Sequence, residues 1–273
     1  MVVKVGLALG SGGVRGFAHL GVLKVLEDHR IPIDYLSGSS MGSVIAAVYA
    51  SGIELKYLIR LAKHLDRSLF VDYTFPKMGL IRGEKIYEMI RLLTKDQMLE
   101  ELLIPTRIVA TDLIQGEPYV FSTGPAALAV RASIAIPGIF EPVELDGRLL
   151  VDGGVIERVP AGVVHEMGAD MVIGVDVSHT TTPKQVRNIY EVILQTIDIM
   201  ESQIFQYRFR RDDVFIRPDV GQYSPLSFHN IEDIIRAGEV AALQVIETIV
   251  DRLERDSAPP LETFRVKDHD GLE

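Results

Sequence analysis

Two short apolar segments, each running straight into a glycine-rich turn and then into a helical pattern, constrain this chain more than anything else in it. Residues 3–9 alternate and are β-rich, and Gly10-Ser11-Gly12-Gly13-Val14-Arg15-Gly16 follows at once. Residues 17–29 then place Leu20, Val22, Leu23 and Leu26 on one helical side. The unit recurs: 31–36 reads as a strand entered through Pro32, Gly38-Ser39-Ser40-Met41-Gly42 as a tight turn, and 43–50 as a helix of small residues. Two strand–turn–helix units in succession predict α/β architecture with a parallel sheet.

Further strands are expected at 106–113, 119–122, 149–152, 171–177 and 214–217. Helices are expected at 125–133, 161–167, 185–210 and 229–254. Residues 54–104 differ in character. They read as amphipathic helices at 54–65, 84–94 and 97–102, with Phe70, Tyr73, Phe75, Met78 and Leu80 between the first two. An excursion of that length either lines a site or forms a packed helical layer. No repeat or linker divides the chain, so 1–255 is read as one domain with 54–104 as a helical insertion lining the site. The polar stretch 256–273 is read as a disordered tail.

Composition narrows the function. The 273 residues carry 28 Lys and Arg against 38 Asp and Glu, a net charge of -10. Nucleic acid is therefore not expected as a partner, since phosphate binding needs clustered cations. Strong attachment to anionic lipid is also disfavoured. Cysteine is absent, which removes disulfides and Cys-based metal sites. The start of the chain lacks the pattern of a signal peptide, and no apolar run reaches the length of a membrane span. Even the richest stretch, 126–140, is broken by Arg131 and Pro137. The expected location is cytoplasmic, peripheral to a membrane at most. The amphipathic C-terminal helices can pack on the core or on a second chain, so an oligomer is compatible with the sequence.

Three motifs can carry chemistry. Gly38-Ser39-Ser40-Met41-Gly42 sits between a strand and a helix, the setting of a nucleophile elbow, where small neighbours permit a strained turn with the Ser40 hydroxyl at its tip. The bland alternative is a Ser helix cap in a Gly/Ser turn. The loop from Gly10 to Gly16 can bring backbone N–H groups up to a phosphate or to a developing oxyanion. As a dinucleotide fingerprint its spacing is poor, because the third glycine falls at Arg15, although Asp34 lies near the distance of a ribose-binding carboxylate. Asp152, at a strand end beside Gly153 and Gly154, can act as a base towards an adjacent elbow, or merely form an Asp-Gly turn. Seven histidines are present, at 19, 29, 64, 165, 179, 229 and 269. His19 and His29 are expected at exposed or turn-end positions, and none of the seven stands in an obvious catalytic setting for a Ser-His-Asp triad, though His179 follows a strand end.

Taken together, the Gly10 to Gly16 loop with Phe17-Ala18-His19-Leu20-Gly21-Val22-Leu23, the Ser40 turn, Asp152-Gly153-Gly154 and residues 160–177 resemble the patatin-like phospholipases. Within that family the chain resembles the bacterial proteins related to the neuropathy target esterase catalytic domain. That resemblance implies a three-layer α/β/α sandwich with a mostly parallel sheet, and hydrolysis of lipid acyl esters without metal or cofactor. It implies a Ser40–Asp152 dyad with an oxyanion hole from the backbone of Gly12, Gly13 and Val14. Gly10, Ser11, Arg15, Gly16, Gly38, Gly42, Gly153 and Gly154 are the supporting residues, Arg15 bracing the loop. The family's Gly-x-Gly-x-x-Gly pattern would begin at position 11, which is Ser11 here. The readings that compete are a Ser-His-Asp hydrolase, a nucleotide-binding or regulatory protein using the first loop, and a catalytically idle relative serving as an interaction module, against which the intact Ser40 and Asp152 speak.

Overall fold

The computed structural model describes residues 3–65, 72, 78–179, 186, 189–205 and 213–257. Its eight strands form one sheet. They are β1 (Val5–Leu9), β2 (Tyr35–Ser39), β3 (Thr106–Asp112), β4 (Glu117–Phe121), β5 (Val143–Leu145), β6 (Arg148–Asp152), β7 (Met171–Val175) and β8 (Val214–Ile216). The run β3-β2-β1-β7-β8 is parallel throughout, while β4 and β6 pair with β3 antiparallel. The helices are α1 (Ala18–Asp28), α2 (Met41–Ala50), α3 (Leu55–Lys63), α4 (Glu84–Leu93), α5 (Ala126–Ser133), α6 (Ala161–Glu166), α7 (Ile189–Phe205) and α8 (Ile231–Ser257).

Helices cover both faces of this sheet, giving the three-layer α/β/α sandwich. The larger core joins Val5, Leu7, Leu9, Leu36 and Ile108 of the strands to the apolar stripes of the first five helices and α8. On the opposite face, Ala8 and Val172 pack against Val159 and Val164, the latter from α6. The stripe of α8, including Ile234, Ile235, Ala242, Ile246 and Ile249, is buried within this chain, chiefly on α1.

One feature of the pairing positions the site. Residues 108–112 of β3 pair with β4 along one edge. The other edge is shared end to end: Ser39 of β2 lies opposite Val109, and Asp152 of β6 lies opposite Ala110. Two strands running towards each other thus bring the end of β2 and the end of β6 together, although 112 residues separate Ser40 from Asp152.

Several boundaries differ from expectation. The second strand is not 31–36 but β2, four residues later at its start. Pro32 has no N–H for a ladder. Asp34 is occupied at the start of the strand, its N–H donating to the Val5 carbonyl at 2.8 Å and its carboxylate accepting from Val5 N–H at 2.9 Å. Strand β5 was not anticipated, although Asp146-Gly147, with φ of 50° and 75°, forms the tight turn of a β5–β6 hairpin. Within 97–102 only a 3-10 turn, Leu99–Glu101, forms. Ile86 and Ile90 of α4 are buried, so this region is a packed layer as well as a cavity wall. Phe70, Tyr73, Phe75, His269 and all of the tail from 258 lie outside the described residues.

Candidate active site

Ser40 sits between β2 and α2 with φ 52° and ψ -124°. A non-glycine residue in that region is strained by about 1–3 kcal/mol and persists only where its surroundings over-determine it. The surroundings here do so. Ser40 N–H donates to Ser133 Oγ at 2.9 Å, and Ser133 Oγ–H donates to the Val109 carbonyl at 2.6 Å. Ser43 Oγ–H donates to the Ser40 carbonyl at 2.6 Å. The turn also needs its glycines by close approach. A Cβ on Gly42 would stand 2.1 Å from the Leu9 carbonyl oxygen, and one on Gly38 would stand 2.4 Å from that of Gly42.

The hydroxyl this turn presents is already paired. Ser40 Oγ–H donates to Asp152 Oδ2 at 2.6 Å, and Gly154 N–H donates to Asp152 Oδ1 at 2.8 Å. Both side chains are 5% exposed or less. Burial pushes the Asp152 carboxyl up to about 7, against hydrogen bonds from Ser40 and Gly154 that favour the ion. Gly153 packs against the Val109 carbonyl, which holds the end of β6 against β3.

The first loop closes over the same point. Gly10 N–H donates to the Val175 carbonyl at 3.0 Å and Ser11 N–H to that of Arg158 at 2.9 Å. The Ser11 carbonyl accepts from Ser178 Oγ at 2.8 Å. A trans peptide points its N–H opposite to its carbonyl, so that bond turns the Gly12 N–H away from Ser178. Gly12 and Gly13 line the same cavity as Ser40, and among the described residues no acceptor takes either N–H. Gly13 has φ 58°, which suits glycine, and a Cβ there would lie 2.5 Å from the Pro225 carbonyl oxygen. Val14 departs from expectation. Its N–H already donates to the Pro225 carbonyl at 2.9 Å, so it is spent on holding the loop. Arg15 braces that contact from the side, donating to the carbonyls of Tyr223 at 2.7 Å and Gly221 at 3.1 Å. Burial lowers its guanidinium to about 10, with the Arg158 charge adding to the effect. Gly16 leaves room for the Met41 side chain.

Ser40 stands where two cavities meet. One, of about 180 Å³, is apolar and lies among α1, α2, α3 and α4, with Leu58, Ile86 and Met89 in its walls. The other, of about 490 Å³, is more polar and is walled by the glycine loop, α7 and residues 221–226, including Arg15, Gln195, Asp198 and Glu201. Ser40, Gly13, Ile136, Pro225 and Leu226 border both.

Two expectations about other residues are corrected. His19 is fully buried, not exposed: its imidazole is lowered to about 4 by burial and is therefore neutral, and Nε2–H donates to the Gly10 carbonyl at 2.9 Å. Asp34 lies at the opposite end of β2 from the loops, with Lys4 Nζ at 2.7 Å, so it does not face the Gly10 loop as a ribose-binding carboxylate would. Four residues near the site carry no signal in the sequence. They are Ser133 beneath the elbow, the buried Arg158–Asp176 ion pair at 2.7 Å, and Glu201, whose Oε2 accepts from Ser11 Oγ at 3.0 Å.

Comparison with known proteins shows the family and the fold. A family model for patatin-like phospholipases matches residues 7–165, more than half of the chain. The chain belongs to the patatin-like phospholipase family. Within it, an NTE family protein of Mycobacterium tuberculosis is 41% identical over 178 residues, 64% of this chain and 49% of that protein. A second NTE family protein of that organism is 28% identical over 91% of this chain and 47% of its own length. Patatin-like phospholipase domain-containing protein 6 of Mus musculus is 35% identical over 63% of this chain and 13% of its own length. The chain thus spans about half or less of the curated relatives it matches. Among solved structures, VipD of Legionella pneumophila superposes with a TM-score of 0.63 at 13% identity, covering 90% of this chain and 67% of VipD. The type III effector protein ExoU does so with 0.50 at 14% identity, covering 93% and 54%. At such identities the likeness is one of fold. Among the described residues no helix is long and apolar enough to cross a membrane, and no group of side chains is suited to hold a metal ion.

Proposed function

We propose that this patatin-like protein is a serine hydrolase of lipid acyl esters that uses Ser40 as nucleophile and Asp152 as its only side-chain base. The observation that carries the reading is the 2.6 Å hydrogen bond from Ser40 Oγ to Asp152 Oδ2, made at the junction of an apolar cavity and a more polar one. Asp152 takes the Ser40 proton as the oxygen attacks the ester carbonyl, and the amides of Gly12 and Gly13 receive the oxyanion. Collapse of the tetrahedral intermediate expels the alcohol, which leaves with the proton from Asp152. Water, deprotonated by Asp152, then attacks the acyl-enzyme and frees the fatty acid. A carboxyl near 7 suits this exchange, since it is basic enough to accept the proton and acidic enough to return it.

The two cavities divide the substrate. The apolar one suits the acyl chain, each methylene contributing about 0.8 kcal/mol on leaving water, and the polar one suits the alcohol or head group. Leu61 at the edge of the first is 38% exposed and Val186 at the edge of the second is 45% exposed. Apolar rims of this kind suit transient contact with a lipid surface during substrate uptake. The phospholipase in the name of the Mus musculus relative points to the same substrate class.

The test is hydrolysis of a panel of monoacyl and diacyl lipids and p-nitrophenyl esters by wild type and Ser40→Ala. Fatty acid release by wild type, absent in the variant, supports the reading; equal release by both removes Ser40 from the mechanism.

A further inference from the structure

Glu201 is a buried carboxyl group to which the mechanism above gives no task. It projects from α7, beyond the stretch matched by the family model, and is 7% exposed. Besides accepting from Ser11 Oγ at 3.0 Å, it packs on Gly154, where a Cβ would lie 2.6 Å from Glu201 Oε1 and 2.8 Å from Ser11 Oγ. Glu201 therefore touches both halves of the site: the residue preceding the Gly12 and Gly13 amides, and the residue whose N–H holds Asp152 Oδ1. Ser11 departs from the glycine that the family pattern carries at that position, and glycine would have no hydroxyl to meet Glu201.

The charges facing Glu201 come from every side. Asp152 lies at the end of β6, Asp176 just past the end of β7 and Arg158 in the loop before α6. Arg15 lines the same cavity, and Asp198 lies one turn back on α7. Burial raises the Glu201 carboxyl to about 8, Asp152 and Asp176 adding to the effect while Arg158 and the Ser11 bond oppose it. At neutral pH the group holds its proton.

We propose that Glu201 is a positioning residue for ester hydrolysis: uncharged, it ties the oxyanion loop to the Asp152 turn, and once ionised it sets a negative charge against the loop that must receive the oxyanion. This inference rests on the Ser40–Asp152 reading. It requires kcat, rather than KM, to depend on Glu201, because the geometry it maintains is needed in the transition state.

The experiment measures kcat and KM for a p-nitrophenyl ester from acid to alkaline pH in wild type, Glu201→Gln, Glu201→Ala and Ser11→Ala. Each protein's melting temperature and its labelling by a fluorophosphonate are recorded alongside. Wild type should lose kcat as the pH rises through about 8. Glu201→Gln, which keeps an acceptor for Ser11 and never ionises, should hold kcat within about threefold at neutral pH and lose the alkaline fall. Glu201→Ala and Ser11→Ala should lower kcat about tenfold with little change in KM. An alkaline fall that survives in Glu201→Gln, a Glu201→Gln as impaired at neutral pH as Glu201→Ala, or a Glu201→Ala with wild-type kcat overturns the proposal. Wild type that is neither active nor labelled at Ser40 refutes the hydrolase reading itself, whereas labelled wild type with indifferent Glu201 variants refutes only this inference.

Discussion

Replacing Asp152 by Asn should make the protein more stable and inactive at once, by an amount set by the buried carboxyl. The folded group titrates at about 7, whereas its ordinary value is 3.8. A carboxyl whose folded value is raised stabilises the fold in its protonated form. That contribution is complete below about 3.8, declines as the pH climbs, and is gone above about 7. A shift of roughly three units corresponds to about 4 kcal/mol between these limits. Asn has the shape of the protonated acid and never ionises, and its carbonyl oxygen can still accept from Gly154 N–H. Asp152→Asn should therefore exceed wild type by about 4 kcal/mol at pH 8 and by only about 1–2 kcal/mol at pH 5. In a chain of this size that is a rise in Tm of about 10 °C at pH 8, shrinking at lower pH. Thermal melts followed by circular dichroism at the two pH values, with ester turnover on the same samples, measure both effects. A variant less stable than wild type at pH 8, or an advantage that does not shrink at pH 5, would show that the Asp152 carboxylate is not the burdened group described here.

Other substitutions test separate parts of the site. Gly42→Ala sets a Cβ 2.1 Å from the Leu9 carbonyl oxygen and should cost about 3 kcal/mol or more, read as a lower Tm together with loss of turnover. Ile86→Trp narrows the apolar cavity and should shift the preferred ester towards shorter acyl chains, raising KM for long chains while kcat for a short ester stays within about twofold; an unchanged chain-length profile would place the acyl group elsewhere. His179→Ala should leave kcat/KM within about twofold, since the Ser40 hydroxyl is paired with a carboxylate, whereas a triad would lose several orders of magnitude.

Much of the layout was legible because local chemistry sets it. The Ser40 turn, the Gly10 loop and Asp152-Gly153-Gly154 are short motifs at strand ends; the first two end parallel strands, where sites form, and the third ends the antiparallel β6 that meets β2 on the edge of β3. The apolar run expected as a strand at 171–177 forms the parallel strand β7, which ends two residues earlier at Val175, and the apolar stripe of α8 followed from helical periodicity. What escaped was set by long-range contact. Nothing near Glu201 in sequence marks it as different from other acidic residues of α7; its meaning comes from Ser11, 190 positions earlier. Ser133 likewise reads as the end of α5 until Ser40 N–H is found upon it. His19 reads as a surface helix residue in sequence, and its burial against the Gly10 carbonyl is a contact made by the fold. Strand β5 is the exception, since Asp146-Gly147 is a local turn signal for its hairpin with β6.

The central claim concerns which atom becomes acylated. Wild type treated with a fluorophosphonate, digested and mapped by mass spectrometry should carry its adduct on Ser40, with none in Ser40→Ala and labelling slowed at least about a hundredfold in Asp152→Asn. An adduct on a different residue, or a rate indifferent to Asp152→Asn, would contradict the account.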